Sequence, residues 1–133
     1  LDRPALKRFF AGELFRRIGK AKQALREYAF ISAVPAAALA ETDEEKAGLD
    51  PKADTVLIQG VADLVLVFED HVEIVDYKTD HNKTADELLR DYAAQLRLYA
   101  RAIGLRLAPN PVTRCTLYSF ALGREVDVPL RGM

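Results

Sequence analysis

The sequence predicts an α/β domain whose central mixed sheet has about five strands and is flanked by helices. Short runs rich in β-branched and aromatic residues predict the strands, and two longer stretches with apolar residues three or four apart predict the helices. The chain has 133 residues, 50% of them apolar, which is enough for one buried core. We therefore expect residues 1–133 to form a single domain.

The first predicted element is a helix from Pro4 to Ile18. Its apolar residues recur at every fourth position and so fall on one face: Leu6, Phe10, Leu14 and Ile18. Asp2 is placed to cap this helix and Gly19 to stop it. A strand is predicted next, from Arg26 to Val34, and it ends at Pro35 because proline cannot continue a strand's hydrogen bonding.

Residues 36–54 are rich in alanine and then acidic, with glycine and proline as breakers. This composition predicts a surface connection that holds a helical turn or two. The next two strands, Thr55–Phe68 and Val72–Tyr77, are separated only by the polar residues 69–71. So short a polar link predicts an antiparallel hairpin.

The most regular helical pattern runs from Asp86 to Gly104, with glycine as its terminator. Gln95 lies on the edge of its apolar face, which is formed by Leu89, Tyr92, Leu96, Tyr99 and Ile103. Thr113–Phe120 and Glu125–Pro129 then predict two closing strands around a turn at Gly123.

Charge is unevenly distributed, although the net charge is only −1. Residues 1–26 carry eight basic and two acidic side chains, whereas residues 41–54 carry two basic and six acidic ones. The basic stretch fits either contact with nucleic-acid phosphates or a solvated helix face. The sequence leaves both interpretations open.

Several classes of protein are excluded by the rest of the composition. Cys115 is the sole cysteine, so the chain forms no internal disulfide and no cysteine-ligated zinc or iron–sulfur site, which suits a reducing cytoplasm. No apolar run approaches the roughly 20 residues of a membrane span, so we expect a soluble protein. Because the chain begins at Leu1 rather than Met, we expect it to be part of a longer polypeptide.

Two aspartates are the candidate metal ligands. Asp63 lies within the otherwise apolar stretch Leu57–Phe68, where an ionised carboxylate is costly unless a cation compensates it. Side chains alternate along a strand, so Asp76 and Lys78 share a side, and the hairpin brings that side toward Asp63. Two carboxylates with the Tyr77 main-chain carbonyl suit Mg²⁺, and an adjacent amine suits hydrolysis of a phosphodiester.

The Asp-x-Lys spacing alone is weak, since Asp50-Pro51-Lys52 repeats it in a polar stretch. Its weight comes from the order of an aspartate inside an apolar strand, a hairpin, Asp-x-Lys at the end of the return strand, and a helix with Gln and Tyr one turn apart. Simpler alternatives stay open. Asp63 could pair with a lysine or arginine across the sheet. Asp76 and Lys78 could form an exposed salt bridge, and the tyrosines of the helix could be core residues.

Through three motifs the chain resembles the PD-(D/E)xK nuclease superfamily and, within it, the RecB-like branch. The motifs are Gly60-Val61-Ala62-Asp63, Asp76-Tyr77-Lys78-Thr79-Asp80 and Gln95-Leu96-Arg97-Leu98-Tyr99. With Arg26-Glu27-Tyr28-Ala29-Phe30 upstream, they are most similar to the C-terminal nuclease domains of the AddA family, the helicase–nuclease subunits of AddAB repair complexes. The resemblance implies a restriction-endonuclease-like core.

The resemblance also implies a role for each motif residue. Asp63 and Asp76 would be metal ligands together with the Tyr77 carbonyl, and Lys78 would be the catalytic lysine. Glu27 matches the acidic position of the first strand. A helix-borne motif that orients the DNA or the lysine would consist of Gln95 and Tyr99 together with Tyr92.

The implied activity is that of a Mg²⁺-dependent DNA exonuclease, with Mn²⁺ as a substitute, in the processing of double-strand breaks and recombinational repair. Its implied partners are single-stranded DNA, a helicase region of the same parent chain and an AddB-like protein. One departure stands out, since RecB-like nucleases carry a histidine before the first strand and none precedes His71 here. If the chain is a fragment that begins after this histidine, we expect it to bind metal weakly and to cleave DNA poorly by itself. One alternative is a catalytically silent nuclease fold that binds DNA or docks a partner protein. Another is a self-sufficient homodimeric nuclease, against which the missing histidine and the missing start methionine both argue.

Overall fold

A computed structural model of the chain describes residues 2–39, 48 and 54–130, and these form a sheet with helices on both faces. In chain order the elements are α1 (Arg3–Ala11), α2 (Glu13–Lys20), β1 (Gln23–Pro35), α3 (Ala36–Leu39), β2 (Thr55–Val67), β3 (Val72–Lys78), α4 (Ala85–Arg106), β4 (Val112–Ser119) and β5 (Arg124–Asp127). The strands lie in the order β1-β2-β3-β4-β5. Only β3 and β4 are parallel among these paired strands, so the predicted mixed sheet of five strands with flanking helices is confirmed.

The N-terminal region differs from the prediction because one expected helix is two. Gly12 is extended between α1 and α2, and the helix after it runs past Gly19 to Lys20. The break shifts the helical phase, so Phe9 rather than Phe10 packs against the sheet, and Phe10 stays 56% exposed. The predicted cap is confirmed, since Asp2 Oδ1 accepts a hydrogen bond of 2.8 Å from the Ala5 amide.

The strands follow the prediction closely. β1 and β2 form a long antiparallel pair in which Gln23 faces Val67 and Pro35 faces Thr55. β2 and β3 form the expected hairpin, and β4 and β5 close the sheet. The helical turn expected after β1 is α3, and the rest of that connection lies outside the described residues apart from 48 and 54.

α4 starts at a capping box and ends two residues later than predicted. The Thr84 side chain accepts from the Glu87 amide at 3.2 Å, and the Glu87 carboxylate accepts from the Thr84 amide at 3.1 Å. Gly104 does not end the helix, which continues to Arg106. Its buried face consists of Leu88, Ala93, Leu96, Ala100, Ala102 and Ile103.

Two apolar cores flank the sheet. The larger one lies between the sheet and α4 and includes Phe30, Val65 and Ile74. The smaller one lies beneath α1 and α2 and contains Leu14 and Val75. None of the described helices combines the length and the apolar character that crossing a bilayer requires.

Candidate metal and nuclease site

Asp63 and Asp76 lie next to each other where the hydrogen-bond ladder between β2 and β3 ends. Leu64 pairs with Val75 in the last rung, so the next position along the two strands sets Asp63 opposite Asp76. The Tyr77 amide then donates to Asp63 Oδ2 at 2.8 Å, so a side chain replaces the missing rung. Residues opposite each other across a ladder share a face, and this face is the one that α4 covers.

Asp76 is the less satisfied of the two carboxylates. Burial raises the pKa of Asp76, the positive charge of Lys78 lowers it, and the negative charge of Asp63 raises it again. Lys78 Nζ lies 2.9 Å from Asp76 Oδ2 and forms an ion pair with this buried oxygen, so two neighbouring acids have one ammonium close to them. The pair of acids is therefore short of positive charge.

The amine of Lys78 lies between Asp76 and an aromatic ring. Its Nζ is 4.0 Å from the centroid of the Tyr92 ring, a cation–π contact that fixes the end of a long side chain. Burial acts to lower the pKa of Lys78, but contact with Asp76 outweighs it and the pKa is raised. Lys78 is therefore protonated at neutral pH and can supply charge rather than act as a base.

The donor set fits a divalent cation that keeps several of its waters. The N–H and C=O of a strand residue point toward the same neighbouring strand, so the Tyr77 carbonyl faces the same side as the amide that meets Asp63. Two carboxylates and one carbonyl are hard oxygen ligands of the type Mg²⁺ prefers. Across the described residues no group of three or more His, Cys, Asp or Glu side chains could hold a metal ion, so water would supply the remaining ligands.

Glu27 lies on β1 at the level of Asp63. The residues on either side of Glu27 pair with those on either side of Asp63, but Glu27 itself does not join the ladder. Its backbone φ is +50°, in the left-handed region that costs a non-glycine residue about 1–2 kcal/mol. Three acidic residues on adjacent strands thus stand in a row, and the role of Glu27 there stays a prediction.

Gln95 and Tyr99 lie farther along α4, over the β1–β2 pair. A Cβ on Gly60 would lie 2.5 Å from the Tyr99 ring, so the glycine of the first motif makes room for the tyrosine of the third. Tyr99 also meets Phe30 edge to face at 4.9 Å, and the Gln95 amide nitrogen is 3.4 Å from the Tyr99 hydroxyl. Their role in orienting DNA stays a prediction, while Tyr92 is the helix residue that contacts Lys78.

Sequence reasoning missed three residues that surround Tyr92. Asp80 Oδ2 accepts from the Tyr92 hydroxyl at 2.7 Å, and Lys83 Nζ bridges Asp80 and Asp91 at 2.9 and 2.8 Å. Asp80 stood within a quoted motif but received no role. The signal was incomplete because the path of the loop from 79 to 84 decides which helix residue it meets.

Comparison with known proteins shows the family. A family model described as the PD-(D/E)XK nuclease superfamily matches residues 3–126. Among curated relatives, an ATP-dependent helicase/nuclease protein of Lacticaseibacillus casei is 37% identical over 133 residues, which is 99% of this chain and 10% of that protein. The proteins of the same name from Geobacillus kaustophilus and Ligilactobacillus salivarius are 36% and 33% identical over 96% and 91% of this chain. The chain spans only about a tenth of such relatives, with 9% of the third one covered.

Proposed function

This chain belongs to the PD-(D/E)XK nuclease superfamily, and from that premise we propose that it is a metal-dependent DNA exonuclease domain, hydrolysing phosphodiester bonds within a helicase–nuclease. The relatives are ATP-dependent helicase/nuclease subunits, which supports a helicase region in the parent chain and a nucleic-acid substrate. Processing of double-strand breaks, single-stranded DNA as substrate and an AddB-like partner protein complete the proposal.

One observation supports the metal dependence most directly. Asp76 is paired with Lys78 Nζ at 2.9 Å, yet burial and the adjacent Asp63 carboxylate outweigh that contact and raise the pKa of Asp76. Two partly buried acids beside a single ammonium leave one negative charge uncompensated, which lowers the stability of the folded protein. A cation between the acids would remove that cost, since it would neutralise both.

Each residue then has a defined role in hydrolysis. Asp63, Asp76 and the Tyr77 carbonyl would hold a divalent cation, preferably Mg²⁺, which neutralises a phosphate and lowers the pKa of bound water. Lys78, protonated beside Asp76, would face the scissile phosphate and stabilise the negative charge that builds up as water attacks phosphorus and the P–O bond breaks. Asp63 is held in place for this role by the Tyr77 amide.

The test uses the chain, its Asp76→Asn variant and the control Asp50→Asn, which alters the other Asp-x-Lys spacing in the sequence. With Mn²⁺ or Mg²⁺ we expect the chain and the control to degrade labelled single-stranded DNA, and Asp76→Asn to be slower by a factor of about 10³ or more. Mn²⁺ should raise the melting temperature of the first two proteins only. Equal cleavage by Asp76→Asn would refute the proposed site.

A second candidate is a silent nuclease fold that binds DNA or docks a partner protein. It is favoured by the small number of ligands, since in the described part of the chain no three acidic, histidine or cysteine side chains form a metal cluster. DNA binding by the chain and both variants, with no cleavage and no Mn²⁺-dependent rise in melting temperature, would support this candidate over the enzyme.

A further inference from the structure

The loop after β3 is fastened to α4 by a compact group of charged and aromatic side chains. The Tyr92 hydroxyl donates to Asp80 Oδ2 at 2.7 Å. Lys83 Nζ lies 2.9 Å from the same Asp80 oxygen and 2.8 Å from Asp91 Oδ2, so one ammonium joins the loop to the helix. We call the group of Asp80, Lys83 and Asp91 the acidic clamp.

The Tyr92 ring connects the acidic clamp to Lys78. Its hydroxyl is held by Asp80, and its ring lies against Lys78 Nζ at 4.0 Å and farther from Lys83 Nζ at 5.3 Å. A lysine side chain has about 2 kcal/mol of rotamer entropy to lose when it is fixed. Two contacts therefore restrict where the amine lies, the ion pair with Asp76 at 2.9 Å and the face of the Tyr92 ring.

We propose that Asp80 is a positioning residue for the nuclease reaction, because it fixes the Tyr92 ring through the acidic clamp and the ring in turn fixes the Lys78 amine beside Asp76. This inference rests on the proposed function and extends it to residues outside the metal site. Asp80 acts on Lys78 only through Tyr92.

A stabilising role alone explains the clamp poorly. The side chains of Asp80, Lys83 and Asp91 are 21%, 30% and 32% exposed, and ion pairs with such exposure add little to the free energy of unfolding. The hydrogen bond from Tyr92 and then the ammonium of Lys83 lower the pKa of Asp80, so Asp80 is ionised and remains an acceptor at neutral pH. Two hydrogen bonds between a partly exposed loop and α4, with one ion pair inside the loop, therefore determine position more than stability.

The test is a double-mutant cycle on cleavage of single-stranded DNA with saturating Mn²⁺. Asp80→Ala and Tyr92→Phe should each lower kcat about tenfold with KM unchanged, because a displaced amine stabilises the transition state less. The double variant should also lose about tenfold rather than a hundredfold, since both changes break one contact. Asp80→Asn, which keeps an acceptor for the hydroxyl, should recover part of kcat.

Asp86→Ala is the matched control, because Asp86 is an exposed aspartate in the first turn of α4. It should leave kcat unchanged, and Asp80→Ala should unfold in urea at the same midpoint as this control. Equal kcat for Asp80→Ala and the control, or additive losses in the cycle, would overturn the proposal.

A second measurement does not depend on cleavage. Protons next to the Lys78 amine lie against the Tyr92 ring, so their NMR signals should be shifted upfield, and Lys78→Met identifies them by their loss. Asp80→Ala should abolish the upfield shift and Asp86→Ala should keep it. If the shift persists in Asp80→Ala, the positioning role is wrong whether or not the chain cuts DNA. If the shift is lost but the unaltered chain never cuts DNA, the clamp is supported and the nuclease proposal fails.

Discussion

Two acidic residues on β3, Glu73 and Asp76, are three positions apart and point to opposite faces of the sheet. Their buried charges are compensated to different degrees. Glu73 accepts from Arg17 Nε at 2.8 Å, and Arg17 also makes two hydrogen bonds of 2.6 and 2.7 Å to Glu125. Thr116 donates to the same Glu125 carboxylate at 2.8 Å. Asp76 instead faces another acid, Asp63, and its one ion pair is with Lys78, whose Nζ lies 2.9 Å from Asp76 Oδ2.

The acids on the two faces also differ in the direction of their pKa shifts. Burial acts to raise the pKa of Glu125, but hydrogen bonds from Arg17 and Thr116 outweigh it, and the pKa is lowered. At Asp76 burial prevails and the pKa is raised. The ion pairs of Arg17 hold elements together, whereas the raised pKa of Asp76 agrees with the proposal that this acid binds a cation.

The largest effect is expected when the ion pairs of Arg17 with Glu73 and Glu125 are removed. Arg17→Met should lower the free energy of unfolding by about 3–5 kcal/mol, because two buried carboxylates lose the guanidinium that makes their shortest ion pairs. Urea unfolding at neutral pH measures this loss. Arg16→Met is the control, since Arg16 is exposed and its guanidinium donates only to the Ala11 carbonyl, at 3.3 Å, among the hydrogen bonds found in the described residues. A loss for Arg17→Met no greater than for the control would break the comparison.

A paired test replaces one acid by its amide on each face of β3. Glu73→Gln should destabilise the protein by about 2 kcal/mol, because Arg17 loses a charged acceptor. Asp76→Asn should stabilise the metal-free protein by about 1 kcal/mol, a gain typical of relieving strain at a functional site. Urea unfolding of both variants in the presence of a chelator measures whether each substitution lowers or raises the free energy of unfolding. Destabilisation by Asp76→Asn would show that its charge is structural.

The smallest effects are expected in the pH dependence of stability. The lowered pKa of Glu125 makes its stabilisation complete above the ordinary value of 4.5, and that stabilisation is lost as the pH falls through the folded value. The raised pKa of Asp76 has the opposite sign, so its ionisation makes the metal-free protein less stable as the pH rises above 3.8. Glu125→Gln and Asp76→Asn should therefore change the slope of unfolding free energy against pH in opposite directions. Changes of slope in the same direction, relative to the unaltered chain, would contradict the assignment.

The sequence was sufficient for the sheet and for the central acids. Alternating apolar residues determined β2 and β3, and the short turn between them determined the register that sets Asp63 opposite Asp76. The N-terminal helices were harder to predict from the sequence. The extended Gly12 breaks the expected helix and changes its phase, so that Phe9 and not Phe10 packs in the core. The acidic clamp could not be predicted, since its members come from a loop and a helix whose contact depends on tertiary packing. The ion pair of Glu73 could not be predicted for the same reason, since its partner Arg17 is 56 positions away along the chain.

The contact between Gly60 and Tyr99 has an evolutionary consequence. The tyrosine ring occupies the space where any larger residue at position 60 would place its first side-chain carbon. Homologous chains should therefore vary at these two positions together, with a smaller side chain at the second wherever the first is not glycine. A substitution at position 60 thus requires the side chain at position 99 to move or to become smaller, although the two residues are 39 positions apart along the chain.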